Sequence, residues 1–205
     1  NALLDDDASA IVVRNDGGHE DFVFQTSVTT YEAYNQYGIT SLYNNSSSDP
    51  TYTPATQFAH ATMVSFDRPF LPGDSNGAGH FLWYEYRRLR WAEKNGFDIT
   101  YTTHIDSDLN TNPLTDHIAF LAVGHDEYWD IRQYESVAKM RDSGVNLLFF
   151  SGNSVCWVTP YRGSSSGVPN RIMFRGGPYG AKHTYAELRE KLNGPFPHRG
   201  PDEGY

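Results

Sequence analysis

FLAVGHDEYW, Phe120 to Trp129, sets an apolar run directly against a histidine and two acids, with an aromatic pair behind them. A short, nearly continuous apolar run of this kind reads as a strand buried on both faces. Nothing in such a strand requires His125, Asp126 and Glu127 at its end. They either cap the helix that follows, where carboxylates complement free N–H groups and the helix dipole, or they hold something.

The flanking segments extend the pattern. DFVFQTSV (21–28) alternates like a strand, FDITYTT and VNLLFFSG read as two more, and EYWDIRQYESVAKMRDSG reads as a helix closed by Gly144. HFLWYEYRRLRWAEKNG sets Leu82, Tyr86 and Leu89 on one helical face and stops at Asn95-Gly96. DLNTNPLTDH reads as a short helical or turn segment. Strands alternating with helices imply parallel βαβ units, so the expected fold is α/β, an open sandwich with a mostly parallel sheet covered on both faces. Thr29 to Gly79 is rich in Tyr, Asn, Ser, Gly and Pro without a sustained period and reads as a long functional loop. Beyond Trp157 the chain reads as loop, followed by one amphipathic helix in TYAELREKLNG. No internal repeat or second boundary divides residues 1–205, which are read as a single domain.

Composition narrows the function. The 205 residues carry 16 basic against 25 acidic side chains, a formal charge of −9, and no basic tract. Nucleic acid and anionic membrane surfaces reward clustered Lys and Arg and are therefore not expected partners. No apolar run approaches the roughly 20 residues of a membrane span. The start, NALLDDDASA, has neither an initiator methionine nor a signal-peptide layout, so the chain is mature or begins inside a larger protein, and it gives no cellular address. The single cysteine, Cys156, excludes an internal disulfide, and without a nucleophile-elbow pattern it reads as a small buried apolar group.

Ligands of open parallel sheets bind beyond the carboxyl ends of the strands. Four such ends carry polar clusters: the Tyr-rich segment after Val28, His104 with Asp106, His125 with Asp126 and Glu127, and SGNS with Asn153. They are far apart in sequence yet share one edge of the expected sheet.

FQTSVTTYEAYNQYGITSLY, VSFDRPF, GFDITYTTHID, AFLAVGHDEYW and GVNLLFFSGNSVCW, in that order, resemble the catalytic domain of the large subunit of N,N-dimethylformamidase and its bacterial relatives. The resemblance spans roughly residues 21 to 171. It implies a three-layer sandwich similar to class I glutamine amidotransferases, and a mononuclear non-haem ferric iron bound by two tyrosines and one glutamate. The glutamate falls on Glu127, one tyrosine on Tyr34 and the second on Tyr43, with Tyr31 and Tyr37 close by. His125 and Asn153 match the polar residues beside the metal, and Asp126 is left as a helix cap. The implied substrate is a small linear amide.

Two phenolates and a carboxylate form an all-oxygen, triply anionic set, which suits a hard trivalent ion better than zinc. An open coordination position can polarise an amide carbonyl and acidify water. The family uses a further carboxylate well downstream of the Asn block, beyond the end of this chain, so the chain is expected to be a fragment, or Asp106 or His104 takes that place. A homo-oligomer, additional domains or a second subunit are all compatible with the sequence. The rival reading is a non-catalytic binding or scaffolding domain whose tyrosine-rich loop is a contact surface.

Overall fold

The computed structural model describes residues 15, 17–38, 40–43, 60–70, 80–109 and 114–176. Along the chain these form β1 (Phe22–Thr26), α1 (Val28–Tyr34), β2 (Met63–Ser65), α2 (Tyr86–Lys94), β3 (Ile99–Thr103), α3 (His104–Leu109), β4 (Ala119–His125), β5 (Tyr128–Trp129), α4 (Ile131–Asp142), β6 (Asn146–Gly152), β7 (Trp157–Val158), β8 (Tyr161–Arg162) and β9 (Ile172–Phe174). A π-helical turn, Phe81–Glu85, precedes α2, and a 3-10 turn covers Leu114–Asp116.

The four longest strands pair in the order β3-β1-β4-β6, every pair parallel, as the alternation of strands and helices predicts. Successive side chains of a strand point to opposite faces, and the two faces build two cores. Val23, Phe120 and Ala122 pack with Val137 and Met140 of α4 on one side. Phe24 and Val123 pack with Leu89 of α2 on the other. The sheet thus lies between helical layers. The edge strand β6 departs from the expectation of full cover, since Phe149 and Phe150 are 42% and 58% exposed.

Three expectations are corrected. First, the helix expected from Glu127 begins only at Ile131, because Asp130 caps it, its Oδ1 accepting from the Arg132 N–H at 2.8 Å. Asp126 and Glu127 are separated from that helix by β5 and do not cap it. Its end is as expected: Gly144, at φ 97°, takes the left-handed conformation that stops a helix. Second, the long loop read from Thr29 opens with α1. VTTYEAY has no side-chain cap and no apolar period, and it is tertiary burial of Thr29, Thr30, Tyr31, Glu32 and Ala33 that holds it helical. Third, the segment after Trp157 contributes short strands: β9 pairs antiparallel with both β2 and β8, and β7 runs parallel to β5. A further cluster forms there from Ala33, Leu42, Val64, Tyr128, Tyr161 and Met173. The helix expected in TYAELREKLNG lies outside the described residues, as does much of the Tyr-rich segment.

Candidate functional site

The carboxyl edge of the sheet gathers the polar strand ends. Glu127 stands two residues past the end of β4, and its backbone is fixed on both sides. Its N–H donates to Thr30 Oγ1 at 3.0 Å, and its carbonyl accepts from the Cys156 and Trp157 N–H groups at 3.0 and 2.9 Å. One residue away, the Thr29 hydroxyl donates to the Tyr128 carbonyl at 2.6 Å. Thr29 and Thr30 therefore lash the start of α1 to the Glu127 segment, and the C-terminal turn of α1 delivers Tyr34. The chain then turns back, with the Leu42 N–H donating to the Ala33 carbonyl at 2.9 Å, which sets Tyr43 beside Tyr34.

The side chains converge on one carboxylate. Tyr34 donates to Glu127 Oε2 at 2.9 Å, the Tyr43 hydroxyl donates to Oε1, and Trp157 Nε1 donates to Oε1 at 2.9 Å. The two phenol rings stack with centroids 4.4 Å apart. His125 Nε2 lies 3.1 Å from Glu127 Oε2 and 3.2 Å from Asn153 Nδ2. That nitrogen stands between an acceptor and a donor: protonated, it donates to Glu127; deprotonated, it accepts from Asn153. Asn153 reaches it from a strained turn in which Asn153 and Val155 have φ of 51° and 58°. Asparagine tolerates that region, whereas a β-branched valine rarely enters it, and strain of this kind concentrates at functional sites. All five side chains singled out in the sequence, Tyr34, Tyr43, His125, Glu127 and Asn153, thus lie together.

The alternatives lie elsewhere. The Tyr31 hydroxyl is bonded to Glu85, and Tyr37 is 43% exposed. His104 is wholly buried, its Nε2 2.5 Å from Asp126 Oδ1, which also accepts from Trp129 Nε1 at 2.8 Å. Asp126 is thereby an internal anchor. Asp106 and Thr103 close the start of α3 reciprocally: Asp106 Oδ2 accepts from the Thr103 N–H and hydroxyl at 3.1 and 2.7 Å, and Thr103 Oγ1 accepts from the Asp106 N–H at 3.2 Å.

Electrostatics follow the geometry. Burial raises Tyr34 strongly, aided by its bond to Tyr43 and the Glu127 charge, and burial with the Glu127 bond raises Tyr43. Burial also works to raise Glu127, but hydrogen bonds from His125, Tyr43 and Tyr34 outweigh it and hold the carboxyl below its ordinary value. Burial and the Glu127 charge push the Cys156 thiol up, the opposite of an activated nucleophile.

Among the described residues no three His, Cys, Asp or Glu side chains are grouped to hold a metal ion. The converging oxygens are instead two phenols and one carboxylate, a set of different composition. Residues the sequence reading missed are Trp157, whose indole is part of the cluster, the Thr29-Thr30 pair, and Arg175, which lies over the Trp157 and Tyr43 rings at 4.0 and 5.3 Å. Trp157 stands in the SGNSVCW block, four residues past Asn153, where its place in that block was the available signal.

A family model described as N,N-dimethylformamidase beta subunit-like, C-terminal, matches residues 4–198. The chain belongs to that family. No curated protein matches it. In this dimethylformamidase-like domain, the phenol–carboxylate cluster occupies the sheet edge where open α/β folds place their ligands.

Proposed function

We propose that the protein is a metal-dependent hydrolase of a small linear amide, with one ferric ion held by Tyr34, Tyr43 and Glu127 and with His125 and Asn153 serving the reacting groups. The observation that carries this is the convergence of both phenol oxygens on the Glu127 carboxylate from separate parts of the chain. The donor set fits the ion by chemistry, being all oxygen and able to carry three negative charges. Membership of a dimethylformamidase-like family supports an amide as the substrate class.

When bound, the ion supplies Lewis acidity, which polarises a carbonyl and acidifies water. Tyr34 and Tyr43 give up their phenolic protons to act as ligands, and the burial that disfavours a bare phenolate favours one neutralised by a cation. Asn153 Nδ2 can donate to the carbonyl oxygen as charge develops on it. Water adds to the carbonyl carbon, the C–N bond breaks, and the amine leaves with a proton that His125 can carry at Nε2, giving a carboxylic acid and an amine.

Elemental analysis of protein purified without chelator tests the reading. Stoichiometric iron with a visible phenolate-to-iron charge-transfer band is expected. A colourless protein with stoichiometric zinc would overturn the iron assignment.

A further inference from the structure

One side of the Glu127 cluster is closed: Trp157 donates to its carboxylate, and Arg175 covers the Trp157 ring. Among the described residues the other side is open. There Asn153 is exposed beside His125, and Tyr84 leaves 44% of its surface in solvent. Tyr84 belongs to the π-helical turn, a rare geometry that frequently marks functional sites.

Its position depends on Gly124, next to His125. A Cβ at residue 124 would lie 2.6 Å from Tyr84 Cβ and 3.3 Å from Glu85 Cγ, and the residue has φ +90°. Glycine alone permits both the conformation and the close approach. The result is an aromatic surface continuous with the site. Tyr84 meets His125 edge-on at 6.2 Å and His80 at 5.5 Å; His80 stacks on His125 at 5.7 Å and tilts over Tyr34 at 4.7 Å.

We propose that Tyr84 is a specificity-determining residue which, with His80 and His125, forms the wall that receives the nitrogen substituents of the amide, resting on the hydrolase function proposed above. In this arrangement the amide carbonyl would lie against Asn153 and the nitrogen substituents would face the opening. Small N-alkyl groups leave water against aromatic faces there. The Tyr84 ring limits their size.

The test titrates the protein as purified with N-methylformamide, N,N-dimethylformamide and N,N-diethylformamide, following binding by ligand-observed NMR and turnover by formate release. Tyr84→Ala is expected to raise the preference for the diethyl over the methyl compound about tenfold in Kd, within the range by which methylene groups are discriminated in apolar pockets. Tyr84→Phe should keep the wild-type ratio, and Gly124→Ala, which displaces Tyr84, should move it in the same direction as Tyr84→Ala. Circular dichroism checks that each variant is folded. An unchanged ratio in folded Tyr84→Ala, or no binding of any of the three by the wild type, overturns the wall. A shifted binding ratio with no formate from any of the proteins supports the wall and overturns the hydrolase function instead.

Discussion

Arg68 and Glu32 form an ion pair at 2.5 Å in which the carboxylate is 1% exposed. The same guanidinium donates to the carbonyls of Glu32, Tyr37 and Thr40 at 3.0, 2.8 and 3.2 Å. One side chain thereby ties α1, which carries Tyr34, to the turn that leads to Tyr43, and sets the spacing of the two phenols.

Removing that tie should be costly. Burial pushes the Glu32 carboxyl up to about 7, with the Arg68 charge and hydrogen bonds pulling the other way. Arg68→Met leaves a buried acid without its cation and should destabilise the fold by about 3–5 kcal/mol in urea denaturation. The double variant with Glu32→Gln should recover part of that loss. A single-variant cost within the error of the method would show the pair to be incidental.

The proposed ligand set predicts an all-or-none pattern across tyrosines. Tyr34→Phe, Tyr43→Phe and Glu127→Gln should each lose bound metal and colour while retaining the far-ultraviolet spectrum, because each removes one anionic donor and keeps its shape. Tyr31→Phe and Tyr37→Phe should keep both, since Tyr31 is committed to Glu85 and Tyr37 is part of no contact with the Glu127 carboxylate among the described hydrogen bonds. Full metal in Glu127→Gln would place the site elsewhere.

Cys156→Ser should retain metal content and hydrolysis, because burial and the nearby Glu127 charge both disfavour a thiolate. Loss of turnover with metal retained would point to thiol chemistry instead.

Glu85 sets a pH dependence. It is fully buried, and burial raises it well above the ordinary carboxyl value of 4.5, outweighing the bond from Tyr31. Across the window from 4.5 upward the folded protein therefore binds more protons than the unfolded chain, and this group's contribution to stability falls as pH rises toward its folded value. Glu85→Gln removes the proton but keeps an acceptor for Tyr31. Relative to the wild type, it should be more favourable near about pH 8 than near about pH 5 in denaturant midpoints. Parallel curves for the two proteins would contradict this.

That four polar clusters meet at one sheet edge was accessible from the sequence because the parallel strands are written as apolar runs and their ends as polar residues, whereas the choice of Tyr34, Tyr43, Glu127, His125 and Asn153 within those clusters came from the family resemblance. What decided between Tyr43 and its neighbours was not accessible. Tyr31 and Tyr37 lie close enough that spacing favours none of the three, and Tyr43 is turned inward by tertiary contacts of its turn, among them the Leu42–Ala33 and Arg68–Thr40 hydrogen bonds. The helix α1 was hidden because β-branched and aromatic residues without caps carry weak local preference, and its stability comes from burial. The capping error had a similar cause: three acids, Asp126, Glu127 and Asp130, stand within five residues, and which of them meets the first free N–H depends on β5 pairing with β7.

Glu127 lies 93 residues from Tyr34 and 84 from Tyr43 along the chain. A cation gripped by all three would bolt together distant points of the polymer, as a covalent cross-link does. Polymer estimates put the entropy of closing one loop of that length at about 4.6 kcal/mol. Holding the ion would thus also guard the fold against opening and proteolysis, and stripping it would register first as faster unfolding.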